Sequence, residues 1–267
     1  MKYIIIDAAV LLLCIFAAVV VTKQIAKKTK LSKPVRIICT VFLSIVFLIL
    51  SVLSYFAVHY RAQDTARSAM EGNDSVNVKT FKSAWLFDGP GTETVFVFYP
   101  GTKVESQAYA PLMNEIAGQG TDCVLLDPPL LFALFDQDGI RRAYKNASYE
   151  NWYIGGHSLG GLIGGMYAAR HPEEIAGVVM LGSYPAAKLS DERLLLIYGS
   201  EDGCLSRKDY ENSRADWPDG TREYVIPGGN HSGFGDYGLQ SGDREASISP
   251  AEQQKLTAEQ IIAFTQQ

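Results

Sequence analysis

Residues 151–170 read NWYIGGHSLGGLIGGMYAAR, and the reading of this stretch decides the fold. Asn151–Gly156 is a short apolar run that ends in two glycines. From Leu159 to Arg170 the composition suits a helix, and only His157 and Ser158 stand between. A strand that passes into a helix through so short a turn belongs to a parallel sheet. A serine in that turn is held above the carboxyl edge of the strands, on a strained backbone that tolerates only small neighbours. The G-x-S-x-G pattern alone is weak: with 24 glycines in the chain, chance supplies it in roughly one sequence of seven of this composition. Its setting between strand and helix carries the weight. Gly161, Gly164 and Gly165 each weaken the helix by about 1 kcal/mol relative to alanine, which makes sense where the helix packs tightly on the sheet.

Outward from this turn the same alternation recurs. Apolar runs at Trp85–Phe87, Thr94–Pro100, Cys123–Pro129, Ile175–Gly182, Arg193–Ser200 and Arg222–Gly229 are separated by helix candidates at 106–118, 138–147 and 206–214. The runs are continuous rather than alternating, as in strands covered on both faces, so the fold class is α/β with a mainly parallel sheet. A last helix begins at Ser249, Pro250 and Glu252, which supply a cap, a first-turn proline and a capping-box partner ahead of Leu256, Ile261 and Phe264. Only Ser183–Glu192 separates the runs Ile175–Gly182 and Arg193–Ser200, which leaves no room for a lid there. Cover for a site therefore has to come from Leu126–Gly139 or from the Phe234–Pro250 loop.

The first 60 residues are different. Ile4–Val21 carries one charge, Asp7, and Ile37–Val58 carries none. As helices these measure about 27 and 33 Å, close to the roughly 30 Å of a bilayer's hydrocarbon core. Two membrane-spanning helices are expected, rather than a cleaved signal peptide, because only Lys2 precedes the first run and no small-x-small cleavage pattern follows it. Between them lies TKQIAKKTKLSKPVR, with Lys23, Lys27, Lys28, Lys30, Lys33 and Arg36 and no acid. A short cationic loop of this kind stays in the cytoplasm, which sends the remainder of the chain to the opposite side of a cell membrane. Residues 61–80 are polar without an apolar period and read as a tether. The domain layout is thus an anchor over 1–60, the tether, and a catalytic-sized domain over 81–267.

Of the 24 basic and 29 acidic residues, seven basic and one acidic precede residue 60, leaving a net charge of −11 on the rest. That excess argues against nucleic acid as a partner, and against binding of anionic lipid by this domain. The four cysteines, at 14, 39, 123 and 204, form neither a metal-ligand spacing nor a disulfide framework, and no cofactor or metal is expected.

A serine hydroxyl needs a base, in practice a histidine oriented by a carboxylate. Four histidines are present. His59 closes the second span, His157 lies in the turn itself and His171 sits at a helix end. His231 follows the last strand run in a glycine-rich loop, and it is the candidate base. The carboxylate is expected at the end of RLLLIYGSEDG, with Asp202 first and Glu201 second. Two backbone N–H groups are needed for an oxyanion: Leu159, opening the helix, and Thr102 in the loop after Thr94–Pro100, with Gly101 and Lys103 left as neighbouring alternatives.

The segments YPGTKVESQAYAPL (99–112), YIGGHSLGG (153–161), IYGSEDG (197–203) and GGNHSGFGDYGLQSGD (228–243) resemble the serine alpha/beta-hydrolase superfamily over essentially all of 81–267. More narrowly they are similar to a group of bacterial membrane-anchored alpha/beta hydrolases. The resemblance implies a nucleophile at Ser158, an acid at Asp202 and a base at His231, matching the assignment reached from the residues. Pro100-Gly101 replaces a His-Gly pair in the oxyanion loop, so the second donor is not carried over. The expected activity is hydrolysis of carboxylic esters or thioesters through an acyl-enzyme, by a carboxylesterase-like serine hydrolase. Its partners would be a small-molecule or lipid ester and, through the N-terminal helices, the membrane. A lipase or phospholipase acting on membrane lipid and a catalytically silent surface binding protein of the same fold are the alternatives. Leu130, Leu131, Phe132, Leu134 and Phe135 form an apolar cluster after a strand end, either a core turn or an acyl-binding wall beside Ser158.

Overall fold

The computed structural model describes residues 2–91, 93–189 and 193–266, with residues 2–9 as backbone only. The chain divides into two compact units, one ending at Val58 and one beginning at His59.

The first unit is a helical hairpin of α1 (Lys2–Thr29) and α2 (Lys33–Ala57). Both helices are long and apolar enough to cross a membrane, by length and composition. Cys14, Ala18 and Thr22 are buried at four-residue spacing, where small side chains let the helices close on one another. Side chains such as Leu12, Phe16, Ile38 and Phe42 stay more than 60 % exposed and call for an apolar surrounding. The cationic segment expected as a loop is mostly helix. Lys23, Lys27 and Lys28 extend α1, Lys33 and Arg36 belong to α2, and only 30–32 connect them. Lysine, glutamine and alanine are good helix formers, so the helix outlasts its apolar stretch. Lys27 and Lys28 also lie in the last turn, where the helix dipole favours cations.

The second unit carries an eight-stranded sheet of β1 (Asn77–Phe81), β2 (Ala84–Asp88), β3 (Thr94–Tyr99), β4 (Asp122–Leu126), β5 (Asn151–His157), β6 (Gly177–Leu181), β7 (Arg193–Gly199) and β8 (Arg222–Ile226). Their order is β1-β2-β4-β3-β5-β6-β7-β8. Only β2 runs against its neighbours, and the pairs from β4 to β8 are all parallel. The helices are α3 (Asp64–Ala69), α4 (Ala110–Ala117), α5 (Ile140–Asn146), α6 (Leu159–Arg170), α7 (Arg207–Asn212) and α8 (Pro250–Thr265). Alternate residues of each strand enter opposite cores. Phe96 and Phe98 pack with Met113, Ile116, Ile261 and Phe264 of α4 and α8. Val95, Val97 and Tyr99 pack with Ile140, Ile163 and Tyr167 of α5 and α6. Covering both faces is what makes the strand runs continuously apolar.

The expected tether over 61–80 is instead folded onto this unit. It contains α3 and most of β1, and Ala62, Ala66 and Val76 are buried. Its contacts are made by small side chains and by an edge strand whose residues are mostly exposed, so no apolar period marks it in the sequence. The terminal helix starts as expected, with Ser249 Oγ accepting from Glu252 N–H at 3.2 Å.

Candidate active site

The strand-to-helix turn has the geometry its glycines imply. Ser158 adopts φ 54° and ψ −126°, a region that costs a side-chain-bearing residue about 1–3 kcal/mol. The strain is over-determined from both sides. Ser158 N–H donates to the Leu181 carbonyl at 2.9 Å, and the Ser158 carbonyl accepts from Leu162 at 3.2 Å. A methyl on Gly160 would collide with the carbonyls of Tyr99 and Pro100, and one on Gly156 with that of Tyr99. The glycines two before and two after the serine are therefore required by the end of β3, which passes directly beneath the turn.

Asp202 lies in the loop after β7 and His231 in the loop after β8, both 2 % exposed. The carboxylate is fixed by two backbone donors, Cys204 N–H at 2.9 Å and Leu205 N–H at 2.7 Å to Oδ1. Its Oδ2 stands 2.8 Å from His231 Nδ1. That pairing sets the opposite nitrogen, Nε2, as the proton acceptor. Buried Nε2 has no hydrogen-bond partner among the described residues. The His231 ring lies tilted against the ring of His157, the residue before Ser158, with centroids 4.3 Å apart, so His231 and the turn adjoin. No hydrogen bond joins Ser158 Oγ to His231 Nε2 among the described residues. Glu201 is turned elsewhere, accepting from Ser200 Oγ at 3.2 Å. His59 pairs with Glu105 at 3.2 Å and His171 lies 3.7 Å from Glu174, so neither belongs to this site.

In the loop expected to supply the second oxyanion donor, two of the three candidate N–H groups are engaged. Gly101 N–H donates to Tyr109 Oη at 3.0 Å, and Lys103 N–H donates to the Leu131 carbonyl at 2.9 Å. Thr102 N–H between them, and Leu159 N–H at the start of α6, are unspent among the described residues. Tyr109 Oη also lies 2.8 Å from His157 Nδ1. Burial, reinforced by the neighbouring His231, holds His157 well below the ordinary histidine range, so its ring is neutral. Burial likewise pushes the Tyr109 phenol up, keeping it protonated. With Gly101 donating to it, Tyr109 Oη gives its own proton to His157 Nδ1. One chain of hydrogen bonds thus runs from the oxyanion loop to the residue before the serine.

Three supports escaped the sequence reading. Asp243 accepts from Gly203 N–H, Ser232 N–H and Ser232 Oγ at 2.9, 2.8 and 2.6 Å. Burial works to raise its pKa, but these hydrogen bonds prevail and hold it below the usual carboxylate range. Arg244 reaches the Glu201 and Asp202 carbonyls at 3.1 Å each, so the Asp243-Arg244 pair locks the acid loop to the base loop. Gln253, fully buried on α8, brackets the residue before His231. It accepts from Asn230 N–H at 3.0 Å and donates to the Asn230 carbonyl at 2.8 Å. Tyr109 is the third. The available signal was position: Asp243 closes the quoted GGNHSGFGDYGLQSGD segment, and Tyr109 follows the oxyanion loop by a few residues.

The apolar cluster stands beside this loop through the Lys103–Leu131 bond, and its turn at Ala133–Asp136 packs on α6. Leu130, Leu134 and Phe135 are 46, 43 and 55 % exposed, so it is only partly a core turn.

Residues 95–255 match the model of the Alpha/beta hydrolase family. More than half of the chain is matched, and the chain belongs to that family. Among solved structures it is similar to a dienelactone hydrolase from Anabaena variabilis, at 15 % identity and TM-score 0.52, covering 71 % of this chain and 98 % of that one. An esterase of M. tuberculosis aligns at 11 % identity and TM-score 0.53, covering 76 % and 97 % of the two chains. Carboxyl esterase 2 of Tuber melanosporum aligns at 10 % identity and TM-score 0.53, covering 78 % and 91 %. At such identities the likeness is one of fold. No curated protein matches the sequence.

Proposed function

We propose that this protein is a membrane-anchored serine hydrolase of carboxylic ester or thioester bonds. Ser158 Oγ attacks the substrate carbonyl carbon while His231 Nε2 takes its proton. The resulting oxyanion accepts hydrogen bonds from Leu159 N–H and Thr102 N–H. His231 then gives the proton to the leaving alcohol or thiol as the carbon–heteroatom bond breaks, forming an acyl-enzyme. Water, deprotonated by His231, attacks that acyl group and releases the acid, and Ser158 recovers its proton. The Asp202 carboxylate orients the His231 ring and stabilises the imidazolium. The observation that carries the reading is the buried Asp202–His231 pair, 2.8 Å apart, beside a serine whose strained backbone is held at both ends.

Ser158→Ala is expected to abolish hydrolysis of a short nitrophenyl ester while leaving the unfolding midpoint unchanged; turnover equal to wild type would overturn the assignment. A fluorophosphonate probe separates this reading from a silent binding protein, since only the hydrolase is labelled at Ser158.

The exposed Leu130, Leu134 and Phe135 favour a second, narrower reading, in which the acyl group is a long chain and the enzyme a lipase. In that case Leu134→Ser with Phe135→Ser raises KM for long-chain nitrophenyl esters about tenfold and leaves acetate unaffected, since each buried methylene contributes about 0.8 kcal/mol. Equal effects on all chain lengths would remove it.

A further inference from the structure

We propose that Tyr60 is a positioning residue for the oxyanion loop, so that the first residues after the anchor are part of the catalytic machinery rather than a link to it. The role rests on the hydrolase reading above, with Thr102 as the second donor. Tyr60 lies three positions after the last residue of α2, Ala57, and forms a parallel bridge with Val104. Its N–H donates to the Lys103 carbonyl at 2.7 Å, and its carbonyl accepts from Glu105 N–H at 2.9 Å. The Glu105 carboxylate reinforces the bridge by accepting from Ala62 N–H at 2.9 Å.

The residue being held is a strained one. Lys103 has φ 59°, a left-handed conformation that an ordinary side chain adopts only under constraint. Leu131 fixes its N–H and Tyr60 fixes its carbonyl. On the other side of Thr102, Tyr109 fixes Gly101 N–H. Thr102 N–H is thus suspended between two clamped neighbours, and Tyr60 supplies one of the clamps. A displacement of about 1 Å in such a donor can cost on the order of a hundredfold in rate.

Tyr60 reaches the loop that carries His231 as well. Its Oη accepts from Ser241 N–H at 2.9 Å, and Gln240 next to Ser241 donates to Ser232 Oγ at 2.8 Å. Its ring lies 5.7 Å from that of Tyr237, which lies 6.3 Å from Tyr109. The neighbouring Gln63 N–H donates to the Asp236 carbonyl at 2.9 Å. One residue therefore ties the oxyanion loop to the loop that carries His231.

The test uses the full-length chain in detergent micelles, with active sites counted by fluorophosphonate titration and turnover read on a short nitrophenyl ester. Tyr60→Pro removes the N–H that holds Lys103 and is expected to lower kcat per titrated site at least tenfold, with KM within twofold. Tyr60→Ala removes ring and hydroxyl but keeps the N–H, and is expected to lower kcat several-fold. Tyr60→Phe, which restores the ring, recovers most of that loss. A merely structural role would reduce the number of titrated sites and leave kcat per site untouched. That result in Tyr60→Ala and in any titratable Tyr60→Pro enzyme overturns the proposal while leaving the hydrolase reading intact. Absence of labelling and turnover in the wild type overturns both.

Discussion

His157 shows how one residue serves two neighbours. It precedes the serine, lies tilted against the His231 ring and accepts from Tyr109, and both contacts favour a neutral imidazole. Its pKa lies well below the ordinary 6.5 because of burial first and the adjacent His231 second. The folded protein then binds fewer protons here than the unfolded chain. The stabilisation is complete above pH 6.5 and is lost as pH falls through that value toward the depressed folded pKa. The unfolding midpoint is therefore expected to be lower at about pH 5.5 than at about pH 7.5. His157→Gln keeps an acceptor for Tyr109 without titrating, so its midpoint is expected to fall less over the same range. Identical pH profiles for the two proteins would show that His157 neutrality is not what the fold depends on.

At the scale of elements, what was legible in the sequence follows from burial. Strands β2–β7 stand out because both faces are covered, which forces continuous apolar runs, whereas β8 is an edge strand with only Ile226 buried. β1 and α3 do not stand out because one is an edge strand and the other buries only alanine. The sharp turn at Ser158 was legible because close approach restricts it to glycine, and the meeting of Asp202 with His231 because both follow strand ends. Asp243, Arg244 and Gln253 were not, since a polar residue in a loop looks the same whether it faces water or pins two loops together. Helix α6 joins both cases: four glycines argue against it by propensity, yet its ends are those expected. A Cβ on Gly164 would stand 2.9 Å from Gly155 Cα, so the helix lies with its backbone on β5. Gly164→Ala therefore gains about 1 kcal/mol of propensity and loses more to overpacking, about 1–3 kcal/mol. A lower unfolding midpoint together with a lower kcat is expected, because the displaced helix carries Leu159 N–H with it. A raised midpoint would mean that the helix can lift off the strand at little cost.

For the whole molecule, the proposed membrane anchor carries a prediction about which side of a membrane Ser158 would face. The helical hairpin presents Lys23, Lys27, Lys28, Lys30, Lys33 and Arg36 around a three-residue turn. Moving such charges outward against a membrane potential costs about 2.3 kcal/mol per charge per 100 mV. If α1 and α2 both span, the chain returns to the side from which it started, and a cytoplasmic turn would place everything after Val58 outside. Protease added to intact cells or spheroplasts is then expected to digest the second unit, whose fluorophosphonate labelling disappears with it. Full protection of that unit would reverse the orientation. Replacing Lys27, Lys28, Lys30 and Lys33 by glutamine removes most of the bias without touching the second unit. Part of the population should then become protease-resistant, while the accessible fraction keeps the wild-type kcat per titrated site.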